Sequence, residues 1–507
     1  MWRAAFRYYL YTFSKSSHET NLNSPIMSNP SAGTGNSIAV PVSLNENESR
    51  IFSVDVLRGI AILGILLISI WELGGFSVNE QTRLRLLHKG LDYNLFANVL
   101  IFFEGKMRGL FALVFGTGMM LYLTRPNQFT MPQTHEYYIR RQWWLMAFGV
   151  IAAFVILWPN DLLFHFGVLG ILLFPFMRMS RKGLLIAAIV CTAIYCGKMY
   201  WNYADEKKML RKYKAATLVE DKFKKDSTER HRKDSIAGMP ADSIKVRDSI
   251  GKKNDTLVRQ QKMDKESWER MAKNIKYDST KANEKSENEA MRSGYGKIWN
   301  HLLQRSQQRE SVWLYRVGFW EFGSLIFLGM ALYGFGFFSS SFSKNKYLLF
   351  GVIGIVAGFL LAWWRLELVY AKIPDYEKYI NGHAIPPNQF FPIENIVMTF
   401  GYASLALWFI RLNILQWLWR GLGAVGRMAF TNYFIQIVFC TCFFYGHGFG
   451  YFGRLSQKEL YFLVIEIWLV QTVFSVLWLR FYHYGPVEWV WRWLIYGKRF
   501  RNKKKIA

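Results

Sequence analysis

Ionisable side chains set inside apolar runs carry most of the chemistry this chain could perform. Asp55 and Arg58 open the run RIFSVDVLRGIAILGILLISI between Arg50 and Ile70. Their i, i+3 spacing puts both on one helix face, where they can pair. A charge at the mouth of an apolar helix is costly to keep, so the pair reads either as an anchor for that helix or as part of a site, with Arg58 offered to an anion. Arg427, Asn432 and Gln436 open a later apolar run, and Glu488 follows the last one in Pro486-Val487-Glu488. These residues form one candidate cluster, with Asp55, Arg58, Arg427 and Asn432 at its centre.

A second set falls at the opposite ends of the apolar runs: Glu104, Lys106, Arg108, Asp161, His165, Glu321, Glu394 with Asn395, and Glu466. Charges in such surroundings must pair or line a wet cavity. In FEGKMRGLFALVFGTG the charges at 104, 106 and 108 alternate, so one helix face cannot carry all three and an irregular segment is expected there. Gly109, Gly116 and Gly118 in the same stretch suit close helix packing. His165 is a candidate general acid or base, because imidazole titrates near neutrality, or else a packing histidine. His88 is a candidate catalytic residue in the first outer loop, and His383 and His447 also fall in loops. There is no HxxH or HExxH, so no metal site is expected.

The elements that must position these residues are membrane helices. The 507 residues are 51% hydrophobic and 17% aromatic, which points to an all-α polytopic helix bundle. Ten apolar runs come near the ~20 residues a bilayer crossing needs: 53–74, 97–124, 143–158, 160–177, 183–201, 313–338, 346–366, 391–411, 428–446 and 459–481. Between Tyr203 and Glu310 lie 27 Lys and Arg against 18 Asp and Glu, so the remaining chain carries most of the +27 net charge. That surplus suits short loops facing anionic lipid better than nucleic acid. The basic residues favour the even-numbered connections and the tail KRFRNKKK, which predicts both termini in the cytoplasm and the 203–310 insertion outside. The insertion, with its repeated Asp-Ser-Ile triplets, reads as a solvated helix or a disordered segment without catalysis. Residues 1–50 read as a disordered extension, within which Met27 is an alternative start. Residues 51–201 and 313–485 are then two five-span halves around the charged segment 202–312, and 486–507 form an interfacial segment and basic tail. Cys191, Cys196, Cys440 and Cys442 all fall in apolar runs, as buried thiols do.

DVLRGIAILGILLISI, FFEGKMRGLFALVFGTG, RRQWWLMAFGV, WPNDLL, GRMAFTNYFIQIVFCTCFFYG and YGPVEWVWRWLIYGK together resemble the YeiB-like bacterial membrane family, the uncharacterised domain class numbered 418. That family is similar, through its first helix, to transmembrane acyltransferases of sugars. The resemblance implies a bacterial inner-membrane protein with acyl-CoA or a similar donor entering from the cytoplasm, and a glycan or lipid-linked acceptor on the other face. Arg58 would meet the donor, and an outer histidine or acid would deprotonate the acceptor. Two departures bear on this. The histidine of the sugar O-acyltransferase branch falls at Ser69, and one common in the family's third span falls at Ala152. A transporter or flippase-like carrier using Glu321 or Glu466 as a proton-coupled acid is the alternative, and a non-catalytic membrane scaffold that recruits a partner through the insertion is a third reading.

Overall fold

A computed structural model describes residues 51–87, 89–124, 131–236, 259–275, 277–339, 342–369, 376–382, 385–499 and 501–504. His88, His383 and the expected N-terminal extension lie outside the described residues. Those described are helical throughout, apart from short loops and one isolated antiparallel bridge between Tyr482 and Lys503.

Helix α1, Phe52–Gly74, runs through the middle of the bundle and is buried along most of its length. Around it the chain forms α2 (Val78–Leu87), α3 (Leu91–Phe103), α4 (Lys106–Thr124), α5 (Met131–Phe154) and α6 (Leu163–Leu172). The 56-residue α7 (Arg181–Ile236) follows, then α8 (Arg259–Ile275), α9 (Tyr277–Met291) and α10 (Tyr295–Gln308). A π-helical segment, Arg309–Gly318, joins α10 to α11 (Phe319–Gly334). The second half comprises α12 (Lys344–Val369), α13 (Tyr376–Gly382), α14 (Phe391–Arg411), α15 (Gln416–Arg427), α16 (Ala429–Phe444), α17 (Gln457–Phe481) and α18 (Pro486–Tyr496).

Among the described residues six helices have the length and composition of a membrane span, and a seventh is obtained if α15 and α16, bent by 79°, count as one. The ten apolar runs of the sequence exceed this number because several are interrupted. Run 97–124 breaks at Glu104-Gly105, where Gly105 has φ +77°, a left-handed conformation that separates α3 from α4. Run 160–177 yields only the ten-residue α6 and a short 3₁₀ turn. Run 183–201 continues without a stop into the polar part of α7, and run 313–338 is the second half of a 40-residue helix that starts at Tyr295.

The distal half of α7 meets α8 and α13 in a small separate core of Tyr203, Leu210, Trp268, Tyr379 and Ile380. Ion pairs Lys265–Glu220 and Lys214–Glu377, the latter at 2.7 Å, lie beside it. The charged insertion is therefore helical where it is described. Its end belongs to the bundle: Trp299 donates to the Phe154 carbonyl at 3.1 Å, and Ile298 and Leu302 are buried.

Tight packing depends on glycine pairs. At the crossing of α1 and α15, a Cβ on Gly59 would lie 2.0 Å from the Leu422 carbonyl oxygen, and one on Gly426 would lie 1.8 Å from that of Asp55. Gly116 and Gly329 bring α4 and α11 together in the same way. Gly426→Ala should therefore destabilise the protein by about 1–3 kcal/mol through overpacking. Gly118→Ala, whose Cβ meets nothing within 4 Å, should not. Thermal unfolding in detergent checks this, and equal shifts for the two variants would contradict it.

Candidate functional site

The α3–α4 break creates the first buried polar centre. It turns Glu104 and Lys106 toward the C-terminal part of α12 and the first turn of α14. Arg365 of α12 donates to Glu394 Oε2 at 2.8 Å and Oε1 at 3.2 Å and to Glu104 at 2.9 Å, while Lys106 also donates to Glu394 Oε1. Lys106 and Glu394 are fully buried. Two cations and two carboxylates thus neutralise one another, and the rings and backbone close the rest. Arg365 lies 4.8 Å from the centre of the Phe391 ring, Thr399 donates to the Lys106 carbonyl at 3.2 Å, and Tyr402 donates to that of Phe102 at 2.7 Å. Every charge here has an opposite partner, so the centre locks α4, α12 and α14 together.

The second centre has no such balance. Past the end of α5 the chain passes through turns that include Leu157 at φ +66° before α6 begins, with the Leu162 amide beside Tyr433 of α16. Asp161, at its start, accepts hydrogen bonds from Tyr433 of α16 at 2.8 Å and from the Phe164 amide at 2.8 Å. One turn on, His165 is fully buried. Its Nε2 lies 3.2 Å from the Arg309 carbonyl and, as a neutral imidazole, must donate there. Nδ1 is then left with its lone pair. It makes no hydrogen bond and faces Glu310 Oε2 at 3.7 Å, and both Glu310 oxygens are likewise unpartnered among the described residues. The wide turn of the π-helical segment places Arg309, Glu310 and Trp313 against α6. Trp313 meets the imidazole edge-on at 5.2 Å, and the Arg309 guanidinium lies 3.3 Å from the centre of the Trp313 ring. Arg108 and Glu321, 3.9 Å apart, flank the same region, and their charges and that of the exposed Glu72 act on Arg309.

Near the face that carries residues 482–504, hereafter the tail face, Arg58 pairs with Asp55 at 2.8 Å beside Gly426, and Arg427 follows at the end of α15. Glu488 accepts from the Phe430 and Thr431 amides at 2.7 and 3.0 Å and so satisfies the start of α16. Asn432 donates to the Val425 carbonyl and to Ser475, while Gln436 and Gln471 bond across α16 and α17 at 2.9 Å. The Asn432 NH2 thereby braces three helices, while its Oδ1 has no partner among the described residues.

The residues expected to form one outer cluster therefore divide. Glu104, Lys106 and Glu394 belong to the charge lock; Asp161, His165, Arg108 and Glu321 surround the unbalanced centre; Glu466 is exposed on α17, outside both. Sequence reasoning did not single out Arg365, Arg309, Glu310 or Tyr433. Arg365 stands near the end of a long apolar run, and Arg309-Glu310 directly precede one, so each read as a boundary. Among the described residues no group of three or more His, Cys, Asp or Glu could hold a metal ion.

The long apolar helices and buried polar centres define a multi-pass helical membrane protein. Residues 332–498 match the family described as "Protein of unknown function (DUF418)". Over most of its length the chain is similar to two uncharacterised proteins. It is 25% identical to YeiB of Escherichia coli, covering 88% of this chain and 96% of that protein, and 27% identical to YxaH of Bacillus subtilis, covering 89% and 95%. A 99-residue stretch is 34% identical to an uncharacterised 39.9 kDa protein of Bacillus acidopullulyticus. The matched segment and these relatives support a YeiB-like DUF418 family. No solved structure matches it.

Replacing Arg365 by Gln would leave Lys106 to face two carboxylates, the buried Glu394 and the half-buried Glu104. Arg365→Gln should cost about 3–5 kcal/mol, as loss of one partner from a buried ion pair does, while the exposed Glu466→Gln should stay within about 0.5 kcal/mol of wild type. Denaturant unfolding in detergent measures both, and a cost below about 1 kcal/mol for Arg365→Gln would contradict the lock.

Proposed function

We propose that this protein is a membrane-embedded transferase that moves an acyl group from a donor such as acyl-CoA, held at the tail face near Asp55, Arg58 and Arg427, to a hydroxyl or amine on an envelope glycan or lipid-linked acceptor. One observation carries this reading: His165 presents an unbonded Nδ1 to the Glu310 carboxylate, both of whose oxygens are unpartnered among the described residues. An imidazole so placed can take the acceptor's proton as its oxygen or nitrogen attacks the acyl carbonyl, with Glu310 stabilising the imidazolium that forms. The proton then goes to the departing thiolate. Arg309 and Arg108 lie near enough to oppose charge building on the carbonyl oxygen. On this reading the tail face is cytoplasmic, the insertion lies outside, and α3 to α6 supply the remaining expected crossings in pieces.

Protein in nanodiscs, given radiolabelled acetyl-CoA and an envelope extract, should label an acceptor. His165→Gln should slow that labelling about 10²–10⁴-fold. No labelling by wild type, or full labelling by the variant, would overturn the proposal. The orientation is tested separately: a reporter inserted near Gly251 should read external, and a cytoplasmic reading would reverse the assignment of the two faces.

The backbone interruptions at Glu104-Gly105, at 155–162 and over Arg309–Gly318 favour a second reading, a carrier, since broken helices commonly line transport sites. A carrier should show proton-driven solute uptake in vesicles that Glu321→Gln abolishes.

A further inference from the structure

The tail face gathers positive charge around a close helix crossing. Arg58 precedes Gly59 and Arg427 follows Gly426, the two glycines at which α1 and α15 touch. Arg141 of α5 is near enough to Arg58 for their charges to repel. Its guanidinium lies 4.9 Å from the centre of the Trp491 ring on α18 and 5.8 Å from that of Tyr122. A fourth cation arrives on a strap. Residues 501–504 fold back along the end of α17, where the His483 amide donates to the Asn502 carbonyl at 2.9 Å. The Asn502 side chain accepts from the Tyr484 amide at 2.9 Å and donates to the Tyr484 carbonyl at 3.1 Å. The strap fixes Lys504, whose Nζ donates to the Leu479 carbonyl at 2.5 Å within electrostatic reach of Arg427. Burial, and after it Arg427, pull the Lys504 ammonium below the usual lysine range.

The acids nearby are already committed, Asp55 to Arg58 and Glu488 to the amides that open α16. Two fully buried donors, Arg141 Nε and Trp491 Nε1, have no acceptor among the described residues. Like charges held together beside unsatisfied donors are costly unless an anion neutralises them. Planar guanidinium groups, an indole N–H and an ammonium suit the several oxygens of a phosphate.

We infer that Arg58, Arg141, Arg427 and Lys504 form a site for a phosphate-bearing anion on the tail face, with the strap of residues 501–504 delivering one of the cations. It rests on the transferase reading in so far as it names the group by which a donor is held. The phosphate comes either from a soluble diphosphate or from the headgroup of a membrane lipid.

Calorimetric titration of the full chain with inorganic pyrophosphate, in phosphatidylcholine nanodiscs and again in phosphatidylglycerol nanodiscs, tests the site and its source. Wild type should bind pyrophosphate in phosphatidylcholine. Lys504→Ala and Arg141→Gln should each weaken binding about ten- to a hundredfold, the usual effect of removing one charged hydrogen-bond donor, and Lys504→Arg should restore it. If phosphatidylglycerol abolishes pyrophosphate binding to wild type, a lipid headgroup is the competing occupant and the site stands; if binding persists there, the soluble anion is favoured. No pyrophosphate binding in phosphatidylcholine, or equal binding by wild type and Lys504→Ala, overturns the inference. Binding is read without turnover. A wild type that binds pyrophosphate but transfers no acyl group therefore sinks only the transferase reading, and one that transfers without binding phosphate sinks only the site.

Discussion

Lys106 and Glu394 are fully buried in an apolar bundle, and neither could remain there as an isolated charge. Their coexistence depends on Arg365, which spans Glu394 and Glu104 and makes the group neutral as a whole. Arg365 can do so because Gly105 breaks the chain between α3 and α4 and lets Glu104 and Lys106 face the same way. The lock thereby joins helices from both halves of the sequence at one end of the bundle. At the other end, glycine contacts between α1 and α15 and the Glu488 contacts at the start of α16 serve the same purpose without paired charges.

Against this fixed frame, the His165–Glu310 centre is distinguished by what it lacks. Desolvation penalises both kinds of buried charge alike, yet the lock offsets the penalty with four mutually oriented groups, while Glu310 has no hydrogen bond and His165 has one. Unsatisfied ionisable groups persist where they serve chemistry or binding, and here a π-helical turn, itself a departure from ideal geometry, holds them. Tyr433 ties this centre back to the tail-face half of α16 through Asp161, so the two polar regions share one helix.

Much of the arrangement was legible in the residues. Apolar runs identified the bundle, the i, i+3 spacing of Asp55 and Arg58 anticipated their pairing, and the alternation of Glu104, Lys106 and Arg108 foretold an irregular segment. Composition could not disclose where helices break or merge. Gly105 looked like one packing glycine among several, and nothing in RESVWLYRVG marks a π-helical turn. Glu310 was grouped with the insertion because hydropathy averages over a window, whereas its role depends on one side chain meeting α6 from 145 positions away in sequence. Arg365 was obscured in the same way, since its partners come from two other helices.

The division between a structural lock and a centre kept for function is tested most directly by the unfolding stability of Glu310→Gln in detergent at neutral pH. Because the Glu310 carboxylate makes no hydrogen bond, its neutral amide should leave stability unchanged or raise it. A loss of about 3 kcal/mol or more, the scale expected when a buried ion pair is broken, would show that Glu310 is a structural partner of His165 and would contradict the reading of this centre as the functional one.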